Sequence, residues 1–142
     1  MSKKGKRRGN RPNDVPQRPA LGVLEALRKE ESEYPAISFR HLQPGWGFEE
    51  LTDKQRLAFL TKWHKRCRMP WVELSQQSRH GLGSEQLPRR VIKPHIPQQF
   101  TDVEKFHVYR HEGNHALVGW KSGHIFYVIW IEARFNDLYD HG

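Results

Sequence analysis

The strongest constraint on the fold lies between residues 105 and 131, where KFHVYRH, HALVGWK and HIFYVIWIE follow one another with only EGN and SG between them. The runs are rich in β-branched and aromatic residues, and the breaks are short and glycine-containing, which is hairpin spacing. Strands this close in sequence pair with their neighbours, so the pattern predicts a three-stranded antiparallel meander. The third run is apolar at nearly every position, which predicts a central strand covered on both faces.

Helices upstream can supply one cover. LTDKQRLAFLTKWHKRC (51–67) opens with Thr52 three residues before Gln55, the spacing of a capping box. Leu57, Leu60, Trp63 and Cys67 are expected to form its buried stripe, with the basic residues outside and toward the end. Pro70 suits the first turn of a second helix, PWVELSQQ, whose Trp71 and Leu74 pack inward, giving a helical hairpin. Before it, AISFRHL (36–42) reads as one strand and LGVLEALRKEESE (21–33) as a short amphipathic helix with Leu21, Leu24 and Leu27 on one side. RHGLGSEQLP (79–88) reads as a loop, and RRVIKPHIP (89–97), broken by Pro94 and Pro97, as an edge strand or extended connector.

The chain has 142 residues and 36% apolar content, which suits one modest core. The expected organisation is a disordered basic arm over 1–19 and a single α+β domain over 20–142. The arm carries seven cations (Lys3, Lys4, Lys6, Arg7, Arg8, Arg11 and Arg18) against Asp14, so six of the eight net positive charges sit there. Rich in Gly, Pro and Asn, it has little to bury and would be drawn to polyphosphate, or would simply solubilise the chain. IFYVIWI is far shorter than the roughly 20 residues of a membrane helix, so the expectation is a cytoplasmic protein without a membrane partner. The single cysteine, Cys67, excludes an internal disulfide and any Cys-rich zinc module.

HEGNH (111–115) fits the HExxH zinc-peptidase pattern, and HEGNHALVG resembles the HEAGHALVG helix of ATP-dependent, membrane-anchored zinc proteases. That motif needs a helix, which sets both imidazoles on one ion with the glutamate beside the bound water. Here Gly113-Asn114 favours a turn and both flanks read as strands, so His111 and His115 are expected to face each other across a hairpin. A peptidase would also need Glu132 or Asp137 as third ligand. It stays a minor alternative beside a His111–His115 cross-hairpin metal site, and no metal or other cofactor is expected.

One strand, a helical hairpin and a three-strand meander is the element order of RelE/ParE-like toxins. ALVGWKSGHIFYVIWIEARFNDLYDHG resembles the end of compact RelE- and HigB-like proteins and their uncharacterised actinobacterial and phage relatives. Gly119, Phe126, Val128, Trp130, Tyr139, Asp140 and His141 carry the likeness, and RHGLGSE resembles a segment of those relatives. The chain departs from the pattern at Ala116-Leu117-Val118, where many such toxins have arginine before the glycine, and at Asn136, where some have histidine. The resemblance implies a metal-independent endoribonuclease that inhibits translation, with RNA or the ribosome as target and an antitoxin protein as partner. ParE-like members poison gyrase instead, so fold alone does not fix the activity.

Metal-free RNA cleavage needs a base for the 2′-OH proton, a cation for the phosphorane and an acid for the leaving oxygen. Histidine suits the proton roles. The expected set is His80 and His141 exchanging protons, Glu85 as alternative base, Arg110 on the phosphate and Tyr139 orienting it. Lys62, Lys65, Arg66, Arg79 and Lys121 are the expected RNA contacts, and Trp120 and Tyr127 could stack bases or pack the core. Each has a plain structural reading too: His80 capping its loop, a disordered His141, Tyr139 anchoring the C-terminus, Arg110 paired with Glu104 or Glu112. A catalytically inert nucleic-acid- or protein-binding module on the same fold is the second reading.

Overall fold

The computed structural model describes residues 20–142, so the basic arm expected over 1–19 lies outside the described residues. The chain divides at Glu30/Glu31 into two units. In the first, helix α1 spans Leu21–Glu31, and none of its residues is buried, including the leucines expected to form an apolar side.

The second unit is α+β. Strand β1 (Ala36–Ser38) precedes helix α2 (Asp53–Cys67) and the single turn α3 (Trp71–Leu74); β2 (Glu85–Pro88), β3 (Lys105–Glu112), β4 (His115–Ser122) and β5 (Ile125–Ile131) follow. They form one five-stranded mixed sheet in the order β1-β5-β4-β3-β2. Strands β3, β4 and β5 pair antiparallel in chain order, β1 joins β5 in parallel, and β2 joins β3 antiparallel. The β3–β4 hairpin turns at Gly113, whose φ of 57° is readily adopted only without a side chain.

Three expectations change here. The stretch read as a loop over 79–88 ends in the edge strand β2, because Glu85–Pro88 lies in register with Val108–Lys105. Pro88, at the end of this edge strand, lacks a donor where none is required. The RRVIKPHIP segment read as a strand or connector starts instead with a 3-10 turn at Arg89–Val91. The second helix is cut to Trp71–Leu74, so α2 has no full-length hairpin partner.

Helix α2 begins with the capping box read in the sequence: Gln55 N–H donates to the Thr52 hydroxyl, and Thr52 N–H to the Gln55 side chain. Gln55 also donates to the Ala133 carbonyl at 3.0 Å, which ties the helix start to the end of β5 and sets its rotation. The face turned to the sheet is then Gln55, Phe59, Trp63 and Arg66. Leu57 and Leu60, expected on the buried stripe, are 67% and 60% exposed. Trp63 stacks on Phe126 with centroids 5.5 Å apart, and Phe59 meets Phe48 edge-on at 4.9 Å. Cys67 is half-buried, and burial raises its thiol pKa, away from the reactive thiolate.

The helix side of the sheet is filled by Phe59, Trp63 and Leu74 over Tyr109, Leu117, Phe126 and Val128. On the other face Phe106, Val108, Val118, Ile129 and Trp130 are covered by Ile92, Phe100, Leu138 and Tyr139, residues of the connector and the C-terminal segment. The central strand β5 is thus covered on both sides, as its apolar run requires. At Gly119 the β4–β5 register shifts, and a Cβ there would run into the Tyr127 carbonyl. Glycine at this position lets the two strands approach through the bulge.

Arg66 is the largest polar side chain in the interior, with no exposed surface. Its Nε donates to the Leu82 carbonyl at 2.8 Å and its Nη2 to the Arg110 carbonyl at 2.8 Å, while the guanidinium lies 4.9 Å from the Tyr109 ring and 5.0 Å from that of Trp63. Burial lowers its pKa to about 10, so it stays charged at neutral pH. Arg66→Met, which keeps the volume but strands both carbonyls, should cost about 3 kcal/mol in urea unfolding. Leu57→Ser should stay within about 0.5 kcal/mol. A costlier Leu57→Ser would mean that the helix presents its leucines to the core after all.

Candidate active site

Strand alternation sorts β3 into two sets: His107, Tyr109 and His111 face the helix, and Phe106, Val108 and Arg110 face the C-terminal segment. Because Glu85 sits opposite Val108, its side chain points to the Arg110 side. There Glu85 joins Arg110 at 3.3 Å and Arg79 at 3.0 Å, each carboxylate oxygen taking one guanidinium. Arg110 also donates to the Arg79 carbonyl. The ion pair is therefore with Glu85 and not with Glu104 or Glu112.

After β5 the chain folds back over this face. Glu132, the residue following Ile131, is fully buried among apolar neighbours. Its carboxylate accepts the Ala116 N–H at 3.2 Å, the Leu138 N–H at 3.1 Å and the Nε2–H of His141 at 2.8 Å. A buried carboxylate of this kind persists only when its lone pairs are occupied in this way. The His141 imidazole is clamped between the rings of Phe135 and Tyr139, with centroids at 4.2 and 4.1 Å. Its backbone N–H donates to the Asn136 side chain at 2.9 Å, and Asn136 adopts φ 73° to close the turn. Far from being disordered, His141 is locked by Nε2, and its Nδ1 has no protein partner among the described residues.

Tyr139 completes the group. Burial first, then the negative fields of Glu85 and Glu132, push its phenol up to about 12 against the opposing pull of Arg110 and Arg79. The hydroxyl therefore remains a proton-bearing donor, suited to orienting a phosphate and not to accepting a proton. It also buries its ring in the core, as an anchor of the C-terminus would.

The fold thus brings together Glu85, Arg110, Tyr139, His141 and the expected RNA contact Arg79. His80 stands at the margin, exposed, with Nε2 3.4 Å from Arg79 Nε. No family model, no curated protein and no solved structure matches the chain. The residues alone carry the functional reading. Arg66, expected to contact RNA, is corrected to a structural residue because it is sealed beneath α2. Lys65 is exposed on α2; Lys62 is half-buried, its pKa lowered by burial and neighbouring Arg66. Lys121 lies over Trp71, Nζ 4.8 Å from the ring. Trp120 packs half-buried against the core and Tyr127 lies beside His41.

Sequence reasoning weighed Glu132 only as a zinc ligand. The signal that could have found its present role is its place: a carboxylate directly after seven apolar strand residues has to be buried and satisfied by something close in sequence. Asp137, the other ligand weighed, pairs with Arg134 at 3.5 Å.

HEGNH is a hairpin turn, not a helix, and His111 and His115 lie with ring centroids 5.8 Å apart across it. Among the described residues no group of three His, Cys, Asp or Glu side chains is arranged to hold a metal. His111 is fully buried; its Nε2–H donates to the Glu132 carbonyl at 2.8 Å, and Nδ1 has no partner among the described residues. Burial is the main cause lowering its pKa to about 4.

The unfolded chain takes up a proton near pH 6.5 that the folded chain refuses until about 4. Stability is therefore complete above pH 6.5 and falls as pH drops through that interval, by about 3 kcal/mol in all. His111→Gln retains a donor toward the Glu132 carbonyl but cannot titrate, so urea unfolding between pH 7 and 4 should show a flatter profile for the variant. Equal slopes would remove His111 as the source.

Proposed function

We propose that this protein is a metal-independent endoribonuclease of the RelE/ParE-like toxin type, acting on RNA in the course of translation. The observation that carries the reading is the clamped His141, fixed through Nε2 by buried Glu132 beside a proton-bearing Tyr139 and the Arg110–Glu85–Arg79 array. An imidazole held by a carboxylate on one nitrogen offers the other for proton transfer in a fixed orientation. Support also comes from the element order, in which strand β1 and helices α2 and α3 precede the consecutive antiparallel strands β3, β4 and β5.

In this reading the 2′-oxygen of the substrate attacks the adjacent phosphorus while a base removes its proton. The bond to the 5′-oxygen breaks, and that oxygen takes a proton from an acid, leaving a 2′,3′-cyclic phosphate. His141 Nδ1 provides one proton transfer and His80 the other. Arg110 and Arg79 neutralise the phosphorane charge, and Tyr139 donates to a phosphoryl oxygen. Glu85, with each oxygen engaged by an arginine, serves mainly to hold the two guanidiniums together and is the alternative base. Lys65 and Lys121 contribute sequence-independent phosphate attraction. The target is RNA or the ribosome, the setting is cytoplasmic, and an antitoxin protein is the regulatory partner. Among the described residues no helix is long and apolar enough to cross a membrane.

The second reading, an inert binding module on the same fold, is favoured by the depth of the site, where His141 exposes only 8% of its side chain. Incubating the purified chain with RNA and with translating ribosomes, in excess chelator, separates the two. Cleavage should persist in chelator and fall by about 100-fold or more in His141→Ala. Glu132→Gln should shift the pH–rate profile, because it alters the group that holds the imidazole. Intact RNA in every condition would leave the binding module, and cleavage indifferent to these substitutions would overturn the assignment of His141 and Glu132 to the reaction.

A further inference from the structure

A second recess opens on the opposite, helix-side face of the sheet, beside the same edge strand. This open cleft of about 460 Å³ has Trp71 and Val72 of α3 as one wall, His107 and Tyr109 of β3 as floor, and Ser84 and Gln86 on the rim. Lys121 of β4 reaches in from the far side. Trp71 is fixed there: its indole N–H donates to the His124 carbonyl at 3.0 Å and its backbone N–H to the Glu33 carbonyl at 2.7 Å.

The chemistry of the lining is specific. Lys121 is its one cation outside an ion pair among the described residues, held 4.8 Å over one face of Trp71, since the carboxylate at the rim, Glu85, is already paired with Arg79 and Arg110. Burial and the neighbouring Lys121 lower the His107 pKa, which favours the neutral ring, and Nδ1 is buried with no partner among the described residues, so the ring has only its other nitrogen to turn to a ligand. Gln86 offers both a donor and an acceptor. An aromatic wall, paired donors and acceptors and a single cation together match a planar heterocycle carrying a phosphate, and the size suits one such unit. An aliphatic ligand would leave the polar groups unpaired, and a simple anion would leave the indole unused.

We propose that this cleft seats one nucleotide of single-stranded RNA, its phosphate on Lys121 and its base between Trp71 and the edges of Gln86 and His107. The inference rests on the ribonuclease reading in one respect: the nucleotide belongs to the strand whose scissile phosphate lies at Arg110. The path is short. Glu85 contributes to both places, pairing with Arg110 on the active-site face and lining the cleft, and β2 is the edge strand of the sheet that lies between them. The cleft then sets preference for the base that neighbours the cut.

The test uses the full chain and small probes, so it does not depend on cleavage. Adenosine 5′-monophosphate, uridine 5′-monophosphate and inorganic phosphate are titrated into the isotopically labelled protein, following the Trp71 indole, the His107 ring and backbone amides. The expected result is saturable perturbation at Trp71, His107 and Gln86 by at least one nucleotide, unchanged in His141→Ala and weakened about tenfold in Lys121→Ala, with Lys121→Gln as a shape-retaining second variant. Perturbation confined to Arg79, Arg110 and His141 would overturn the cleft while leaving the ribonuclease reading in place. Equal effects of inorganic phosphate and both nucleotides would reduce it to an anion site and overturn the nucleotide assignment. No perturbation by any probe would also overturn it, and the cleavage assay would then decide the activity by itself.

Discussion

The buried Arg66 is the constraint on which the rest of the second unit depends. A charge in the interior needs partners for its donors, and here Nε and Nη2 find backbone carbonyls on two different segments, Leu82 before β2 and Arg110 on β3, while Nη1 has no partner among the described residues. The guanidinium therefore ties three things together: the C-terminal end of α2, the 79–84 loop and the end of β3 that carries Arg110. The rings of Trp63 and Tyr109 that flank it make the same position expensive to fill with anything smaller. Both the edge strand and the Arg79–Glu85–Arg110 array stand downstream of this one residue.

The parts of the fold legible in the sequence were those with a local physical cause. Hairpin spacing and β-rich runs placed β3, β4 and β5, and the Thr52–Gln55 pair placed the start of α2. The buried face of α2 was read correctly at Trp63 and wrongly at Leu57 and Leu60, because periodicity says which residues share a side, not how far the helix is rotated about it. Leu57 and Leu60 form as good a stripe as Phe59 and Trp63. The tie from Gln55 to the Ala133 carbonyl, a contact across 78 positions, decides between them. Strand β2 was missed for a similar reason: four residues ending in proline have little strand character, and only the edge of β3 gives them one.

The site was legible in composition more than in arrangement. Glu85, Arg110, Tyr139 and His141 were singled out by type and by a family likeness, and β2–β3 pairing together with the C-terminal fold-back gathers them on one face. Arg66 was misassigned because a basic residue late in an amphipathic helix usually faces water, and nothing local signals that its donors will be met by carbonyls 16 and 44 positions away. Glu132 was undervalued because its satisfaction comes from backbone N–H groups, which no side-chain pattern advertises.

Glu132 also joins the two faces of the sheet. Its carbonyl receives the proton of His111 on the helix side, while its carboxylate holds His141 on the other. A sheet usually insulates what lies on either side of it, but here one residue is shared by both. One residue thus gives the hairpin turn at His111 and the C-terminal fold-back at His141 a common anchor, two segments that the chain separates by the whole of β4 and β5.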